Sequence, residues 1–187
     1  MECKNLQKII TELDRYSRKI KEEEVCALAE ACIKAKRIFL AGAGRSGFAA
    51  RGFSNRLMHM GLTVYFVGEP TTPSIGEGDL LIVGSGSGTT ASLVSNAKKA
   101  KAAGASLATL TIFPEASIGS MADVTVTIPG ATPKKNAGTE DSAVSIQPMG
   151  SLFEQLCWLV YDSTILSLMT ITDETSDTMY PRHANLE

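Results

Sequence analysis

Histidine and tryptophan are scarce in this sequence, which holds two histidines and one tryptophan in 187 residues. The four cysteines are Cys3, Cys26, Cys32 and Cys157, and no two of them form a C-x-x-C pair. Zinc sites take several Cys or His ligands at short spacings, so we expect no metal site. We expect reduced thiols, with Cys26, Cys32 and Cys157 as small core residues.

A surplus of positive charge is also missing. The chain has 18 Lys and Arg against 20 Asp and Glu, a net charge of −2, so neither nucleic acid nor an anionic membrane surface is an expected partner. No apolar run approaches the ~20 residues needed to cross a bilayer. The N-terminal stretch MECKNLQKIITELDRYSRKI is charged throughout and lacks the apolar centre of a signal peptide. These features predict a cytoplasmic protein.

Apolar residues that are present follow two different periods. Within residues 1–35 they recur at helical spacing and predict two amphipathic helices. The sequence beyond them alternates predicted strands and helices, which indicates a parallel sheet covered on both faces. We therefore predict an α/β fold, a three-layer αβα sandwich with a five-stranded parallel sheet, whose core spans 36–171. The strands are RIFLAG, TVYFVG, DLLIVGS, SLATLTI and DVTVTIP, and the helices are 46–60, 89–103 and 149–170.

Three segments lack periodicity. Residues 69–78 and 130–147 are predicted loops, and a loop as long as the second is often functional in a compact domain. The polar tail, residues 172–187, is on its own character expected to be frayed.

The first glycine-rich turn is AGAGRSG, in which Gly42, Gly44 and Gly47 form the G-x-G-x-x-G pattern of dinucleotide sites. Glu69, near the end of the second strand, is where such a site places its ribose-binding acid. Arg45, in contrast, would lie where the pyrophosphate must approach the backbone. The chain is also short for separate cofactor and catalytic domains, so the pattern favours another phosphorylated ligand over NAD.

The second glycine-rich turn, GSGSGTT, follows the third strand and opens the next helix. Free N–H groups at a helix N-terminus attract anions, and the hydroxyls of Ser85, Ser87 and Thr90 can add neutral hydrogen bonds. A P-loop sequence is absent, which disfavours a nucleoside triphosphatase. The alternative is a Ser/Gly connection that only caps a helix. Together with Ser46 of the first turn, the pattern favours one small phosphorylated ligand at the carboxyl ends of the strands.

At these residues the chain resembles the SIS (sugar isomerase) domain family, through GAGRSG, RLMHMG, GSGSGTT and SIQPMGSLFEQ to the terminal HANLE. The resemblance spans essentially residues 1–187 and implies a single SIS domain, flavodoxin/Rossmann-like in fold. SIQPMGSLFEQ with HANLE is similar to members that interconvert D-arabino-3-hexulose 6-phosphate and fructose 6-phosphate in the ribulose monophosphate pathway.

The resemblance also implies how such a protein works. Its ligand is a sugar phosphate, its phosphate ligands match Ser46, Ser85, Ser87 and Thr90, and it uses no cofactor. It is a homo-oligomer, a tetramer, in which the tail 172–187 reaches an active site. Family members often carry Glu where this chain has Thr89, which removes a charged contact there without touching the phosphate hydroxyls.

Glu154 is the candidate catalytic base. It lies among apolar neighbours in the first turns of the last long helix, where a carboxylate is partly desolvated. The alternative is structural, because Ser151 and Glu154 form the S-x-x-E pattern of a capping box. The residues alone leave both open, and the resemblance favours catalysis.

His183 is the second catalytic candidate. A histidine in a polar tail is ordinarily a solvated surface residue. SIS isomerases often use a histidine of a neighbouring subunit to shuttle protons between substrate oxygens, and the resemblance implies that His183 does this or assists ring opening.

Other side chains carry weaker predictions. His59 is expected to be a core or helix-end histidine. Gly44 and Arg45 in the first turn and Gln147 at the end of the long loop are candidate substrate contacts. Arg45 can equally pair with a carboxylate, and Gln147 can serve only the turn before Pro148.

Two other functions stay open. One is a non-catalytic SIS module that senses a sugar phosphate, which needs neither Glu154 nor His183 and usually accompanies a DNA-binding domain. The other is an isomerase of a different sugar phosphate, such as an aldose phosphate.

Overall fold

A computed structural model describes residues 3–130 and 144–186 of the chain. Five strands form one sheet: β1 (Ile38–Gly42), β2 (Val64–Phe66), β3 (Leu80–Gly84), β4 (Ser106–Thr111) and β5 (Val124–Thr127). The helices are α1 (Lys4–Ser17), α2 (Glu22–Lys34), α3 (Gly44–His59), α4 (Ala91–Ala102), α5 (Ser151–Thr172) and α6 (Ser176–Met179). Two short 3₁₀ helices lie at Gly119–Met121 and Tyr180–Arg182.

All neighbouring strands are parallel, and their order in the sheet is β2-β1-β3-β4-β5. The chain leaves β1 towards one edge of the sheet and continues from β3 towards the other. This order confirms the predicted five-stranded parallel sheet and puts the topological switch point between β1 and β3.

Helices cover the two faces of the sheet unequally. Within β1, Ile38 and Leu40 point into the larger apolar cluster, which includes residues of α2, α3 and α5. Phe39 and Ala41 point into the smaller cluster, where α4 is the covering helix. Alternating side chains of a strand face opposite sides, so this division confirms three layers.

Two expectations about the chain's periphery were wrong. Residues 176–182 of the tail are helical rather than frayed, because Thr175 and Thr178 form a capping box at the start of α6 and Met179 is buried. Cys32 and Cys157 are buried as expected, but Cys26 is exposed on α2. Cys26 lies outside the helical stripe of Val25, Leu28, Ala29 and Cys32 that α2 buries.

Most of the long loop predicted at 130–147 lies outside the described residues. Its last four residues, 144–147, are described and are irregular. Among the residues described, no helix is both long and apolar enough to span a membrane.

Candidate active site

The two glycine-rich turns lie side by side at the switch point. In the β1–β3 pairing, Gly42 is directly opposite Gly84, so both turns leave the same edge of the sheet at the same level. Crevices at the carboxyl ends of strands beside a switch point are the usual ligand sites of such sheets. The topology therefore brings together turns that are about forty residues apart in sequence.

The spacing of glycines in the first turn has a packing reason. A Cβ atom on Gly42 would lie 2.8 Å from Cα of Gly47, and a Cβ on Gly47 would lie 2.8 Å from the carbonyl oxygen of Gly42. Gly44 has φ +57°, which favours glycine. The acid expected at a ribose, Glu69, instead forms an ion pair with Arg51. The G-x-G-x-x-G pattern thus serves the close contact of β1 with α3 and needs no dinucleotide.

The second turn presents its hydroxyls close to a helix N-terminus. Ser85 and Ser87 are buried, and Ser87 Oγ accepts a hydrogen bond of 3.3 Å from the backbone N–H of Thr89. Thr90 is the N-cap of α4, but its side chain makes no capping hydrogen bond. Thr89 itself is exposed. The first N–H groups of α4, which have no partner within the helix, and the Thr90 hydroxyl therefore face the same end of the helix.

Two buried hydroxyls at this turn lack a protein partner. Within the described parts of the chain, Ser85 Oγ and Tyr161 Oη are buried without a hydrogen bond. A Cβ on Gly84 would lie 3.0 Å from Tyr161 Oη, so α5 packs directly under the end of β3. Burial raises the pKa of Tyr161 well above its ordinary value, so this hydroxyl is a neutral donor. Unpaired buried hydroxyls are costly, which marks Ser85 as a group available to a ligand.

Ser46 stands between the two turns. It belongs to the first turn of α3, which begins at Gly44, two residues before the predicted start. Its carbonyl oxygen would lie 3.2 Å from a Cβ on Gly42 and 3.8 Å from a Cβ on Gly84. The structure thus brings all four predicted phosphate residues to one edge of the sheet.

The N-terminus of α5 lies against both turns. The ring of Phe153 would be 3.2 Å from a Cβ on Gly86, which places it over the second turn. On the other side, the Oε2 atom of Glu154 accepts a hydrogen bond of 2.5 Å from Nε of Arg45 in the first turn. The Glu154 side chain is 17% exposed, whereas that of Arg45 is 62% exposed. Glu154 is therefore a largely shielded carboxylate at the rim of the crevice.

The capping-box alternative for Glu154 is not formed. The N-cap of α5 is Gly150, and Ser151 is already the first helical residue. Among the described residues no side chain caps this helix end, and Glu154 donates its backbone N–H to the carbonyl of Gly150. Its carboxylate is consequently left for Arg45 and for the cavity beside it. This cavity has a volume of about 260 Å³ and is lined by Arg45, Phe48, Ala49, Glu154, Gln155 and Trp158.

Gln147, a candidate sugar contact, is engaged within the protein. Its Nε2 atom donates to Glu12 Oε2 and to Gln155 Oε1, both at 2.9 Å. Glu12 and Gln155 were not predicted as site residues. In sequence, Glu12 lies among the apolar residues of α1. That pattern does not predict that the Glu12 carboxylate is buried. Gln155 is adjacent to Glu154 in sequence, which was its only signal.

His183 lies beside the last residue of α3, whereas Glu154 lies beside Arg45 near the start of that helix. Its ring stacks on that of His59 with centroids 5.2 Å apart, and Arg182 donates a 2.7 Å hydrogen bond to the His59 carbonyl. The helix α3 starts at the crevice and has 16 residues. Its last residue, His59, is therefore about 24 Å from the crevice end of the helix. The structure does not bring His183 to the crevice of its own chain.

His59 is the buried helix-end residue that the sequence predicted. Burial lowers the pKa of its imidazole, and the nearby Arg56 and His183 lower it further. A cavity of about 320 Å³ adjoins both histidines. Residues 3–130 and 144–186 contain no cluster of His, Cys, Asp and Glu that could hold a metal ion.

Comparison with known proteins shows which family this chain matches. The family model of the SIS domain matches residues 32–158. The chain is 49% identical over 179 residues to the 3-hexulose-6-phosphate isomerase of Bacillus subtilis, covering 96% of this chain and 95% of the relative. It is 43% identical over 183 residues to the protein of the same name from Mycobacterium gastri, covering 98% and 90%.

A crystal structure of a Methanococcus jannaschii protein, inferred to function as a 3-hexulose-6-phosphate isomerase, has the same fold. Its TM-score is 0.83 at 32% sequence identity, and the match covers 98% of this chain and 99% of that one.

Proposed function

The chain belongs to the SIS domain family, and from this premise we propose that it is an isomerase that converts D-arabino-3-hexulose 6-phosphate into D-fructose 6-phosphate, as in the ribulose monophosphate pathway. The observation that carries the proposal is a shielded carboxylate, Glu154, at the rim of a crevice lined with Ser and Thr hydroxyls. A sensor of sugar phosphates needs the hydroxyls but has no use for the carboxylate.

The phosphate of the substrate binds to the second glycine-rich turn. Ser85, Ser87 and Thr90 donate hydroxyl hydrogen bonds to its oxygens, and Ser46 adds another from the first turn. The free N–H groups at the N-terminus of α4 supply positive potential. No lysine is needed, so the dianion is held by neutral donors and can be released after the reaction.

The substrate arrives as an open chain. With its carbonyl at C3 and O6 phosphorylated, it has no free hydroxyl placed to close an unstrained hemiketal ring. The site therefore has no ring to open in this direction, and only the C2–C3 unit must be placed beside the base.

Glu154 removes the proton from C2. The electron pair of the C2–H bond forms the C2–C3 double bond, and the C3 carbonyl pair moves to O3, which takes up a proton. The resulting cis-enediol loses the proton on O2, the C2 carbonyl forms, and C3 receives the proton from Glu154. Protons only change places, so no cofactor is consumed. Arg45, which is paired with Glu154, is the cation that offsets the enediolate charge.

His183 of a neighbouring subunit moves the proton between O3 and O2. Its distance from Glu154 in the same chain supports a site shared between subunits of a homotetramer. Exposed apolar residues also support self-association, because Leu6 and Ile10 on α1 and Leu166 on α5 are about half exposed or more. We place this enzyme in the cytoplasm.

The test is conversion of D-arabino-3-hexulose 6-phosphate to fructose 6-phosphate, with Glu154→Gln beside the wild type. Loss of a general base lowers kcat by about 10²–10⁴-fold, while calorimetric binding of inorganic phosphate persists. Glu30→Gln on α2, an exposed residue paired with Lys34, is the matched control and keeps full activity. A folded wild type that binds sugar phosphates without turnover indicates a sensor, and an active Glu154→Gln removes Glu154 as the base.

A further inference from the structure

A network of hydrogen-bonded polar side chains, buried at one end and partly buried along the rest, runs from α1 to the site helix α5. It begins at Glu12, which is 8% exposed. This carboxylate accepts hydrogen bonds from Ile146 N at 2.8 Å, Gln147 Nε2 at 2.9 Å and Ser145 Oγ at 3.1 Å. Gln147 then donates to Gln155. The segment that leads into α5 is thus tied to a helix more than 130 residues away in sequence.

The direction of every hydrogen bond in this network follows from Glu12, its first member. An ionised carboxylate only accepts, so the amide of Gln147 must turn its nitrogen towards Glu12. That nitrogen has two hydrogens, and its second one goes to Gln155. Gln155 must therefore turn its oxygen towards Gln147. The orientation of an amide is assigned from its network, and here the network allows one assignment.

This orientation determines which group of the Gln155 amide remains available. Its oxygen is occupied, so its Nε2 group is left as the donor of this side chain. Gln155 lines the cavity of about 260 Å³ together with Glu154 and Arg45. A neutral N–H donor beside a proton-abstracting carboxylate suits an oxygen on which negative charge develops.

We propose that Gln155 Nε2 donates a hydrogen bond to an oxygen of the substrate's C2–C3 unit as the enediolate forms, with Glu12 and Gln147 as positioning residues. This inference rests on the proposed isomerase function. It gives α1 a part in catalysis, because the buried carboxylate of α1 sets which end of Gln155 the substrate meets. It also replaces the expected direct contact of Gln147 with the sugar by an indirect one.

Two substitutions at the donor test the proposal directly. Gln155→Glu keeps the oxygen that Gln147 needs and replaces the donor with an acceptor, whereas Gln155→Met keeps the volume and removes both. Each is expected to lower kcat by about 10²-fold, the usual effect of losing a donor to developing charge. The inhibition constant of inorganic phosphate stays at the wild-type value, because the phosphate turn is untouched.

Glu12→Gln tests the positioning role from a distance. Ile146 N–H still needs an acceptor, so the new amide presents its nitrogen to Gln147, which must then turn round. Gln147 now offers its oxygen to Gln155, and Gln155 turns its own oxygen into the cavity. We expect kcat to fall about 10-fold, as for one net hydrogen bond, with the phosphate inhibition constant unchanged. Glu30→Gln and Gln7→Met, both exposed, are the matched controls.

The outcomes separate this inference from the function on which it rests. If the wild type turns over and Glu154→Gln does not, while both Gln155 variants stay within about twofold of wild-type kcat, the inference is overturned and the isomerase stands. A rise in KM with unchanged kcat in the Gln155 variants also overturns it, since that result describes a contact that is no stronger in the transition state than in the ground state. A wild type without turnover removes the function itself.

Discussion

Mixing two inactive variants should restore activity, if a site takes Glu154 from one chain and His183 from another. In one chain Glu154 pairs with Arg45 at the start of α3 and His183 stacks on His59 at its end, and this helix of 16 residues is about 24 Å long. Glu154→Gln alone and His183→Ala alone each lose a group that every site requires. A mixed oligomer, however, contains some sites that combine the intact Glu154 of one variant with the intact His183 of the other.

The size of the recovery follows from random assembly. In a 1:1 mixture, half of the chains carry an intact Glu154 and, independently, half of the neighbours carry an intact His183. About a quarter of the sites are therefore complete, and activity should return to about 25% of wild type. If both residues served the same site from one chain, no site would be complete and the mixture would stay inactive.

The assay refolds the two variants together from urea and measures fructose 6-phosphate formation, with each variant refolded alone for comparison. Wild type mixed 1:1 with the double variant Glu154→Gln/His183→Ala is the control. A shared site predicts about a quarter of wild-type activity in that mixture, and a site within one chain predicts about half. An inactive mixture of single variants beside a half-active control refutes the shared site.

Two further predictions concern stability. Gly47→Ala places a Cβ 2.8 Å from the Gly42 carbonyl oxygen, forcing β1 and α3 apart, so the free energy of unfolding in urea should fall by about 1–3 kcal/mol. The second prediction is pH dependence at Asp79, whose pKa is held below its ordinary value by hydrogen bonds from Arg37. Because the folded-state pKa is the lower one, this stabilisation is complete above pH ~4 and is lost as pH falls through the folded value. Asp79→Asn should lose about 1–2 kcal/mol at pH 7, because the Arg37 side chain that remains is 34% exposed, and should show a flatter decline below pH ~4.

Each stability prediction has its own check. Gly76→Ala is the control for Gly47→Ala, since nothing lies within 4 Å of a Cβ there; equal losses in the two variants would contradict the packing argument. For Asp79, identical acid-range slopes in wild type and Asp79→Asn would show that the pair with Arg37 does not contribute to acid sensitivity.

Much of the fold could be predicted because the relevant signals are local. A buried strand, a glycine turn and an amphipathic helix each depend on residues within about fifteen positions of one another. Gly42, Gly44 and Gly47 are such a case, since β1, the turn and α3 are contiguous in the chain. The order of the strands then follows from few alternatives, because parallel strands need crossovers of one hand.

The partners of site side chains could not be predicted in the same way. Arg45 and Glu154 are 109 residues apart, and Arg182 and His59 are 123 apart. Hydrophobic period tells which face of a helix is buried but not what an individual carboxylate meets there. Ser151 and Glu154 show the difference, because their spacing matches a capping box that the start of α5 at Ser151 prevents.

The sequence by itself determined the αβα sandwich, the two glycine-rich turns and the identity of the carboxylate at the start of α5, because each is encoded by neighbours along the chain. Only the tertiary structure decided that Glu154 faces Arg45, that Gln147 turns towards Glu12, and that His183 stacks on His59 far from its own crevice. These pairings depend on which helices pack against each other. Helix packing is determined by the whole core rather than by any one segment.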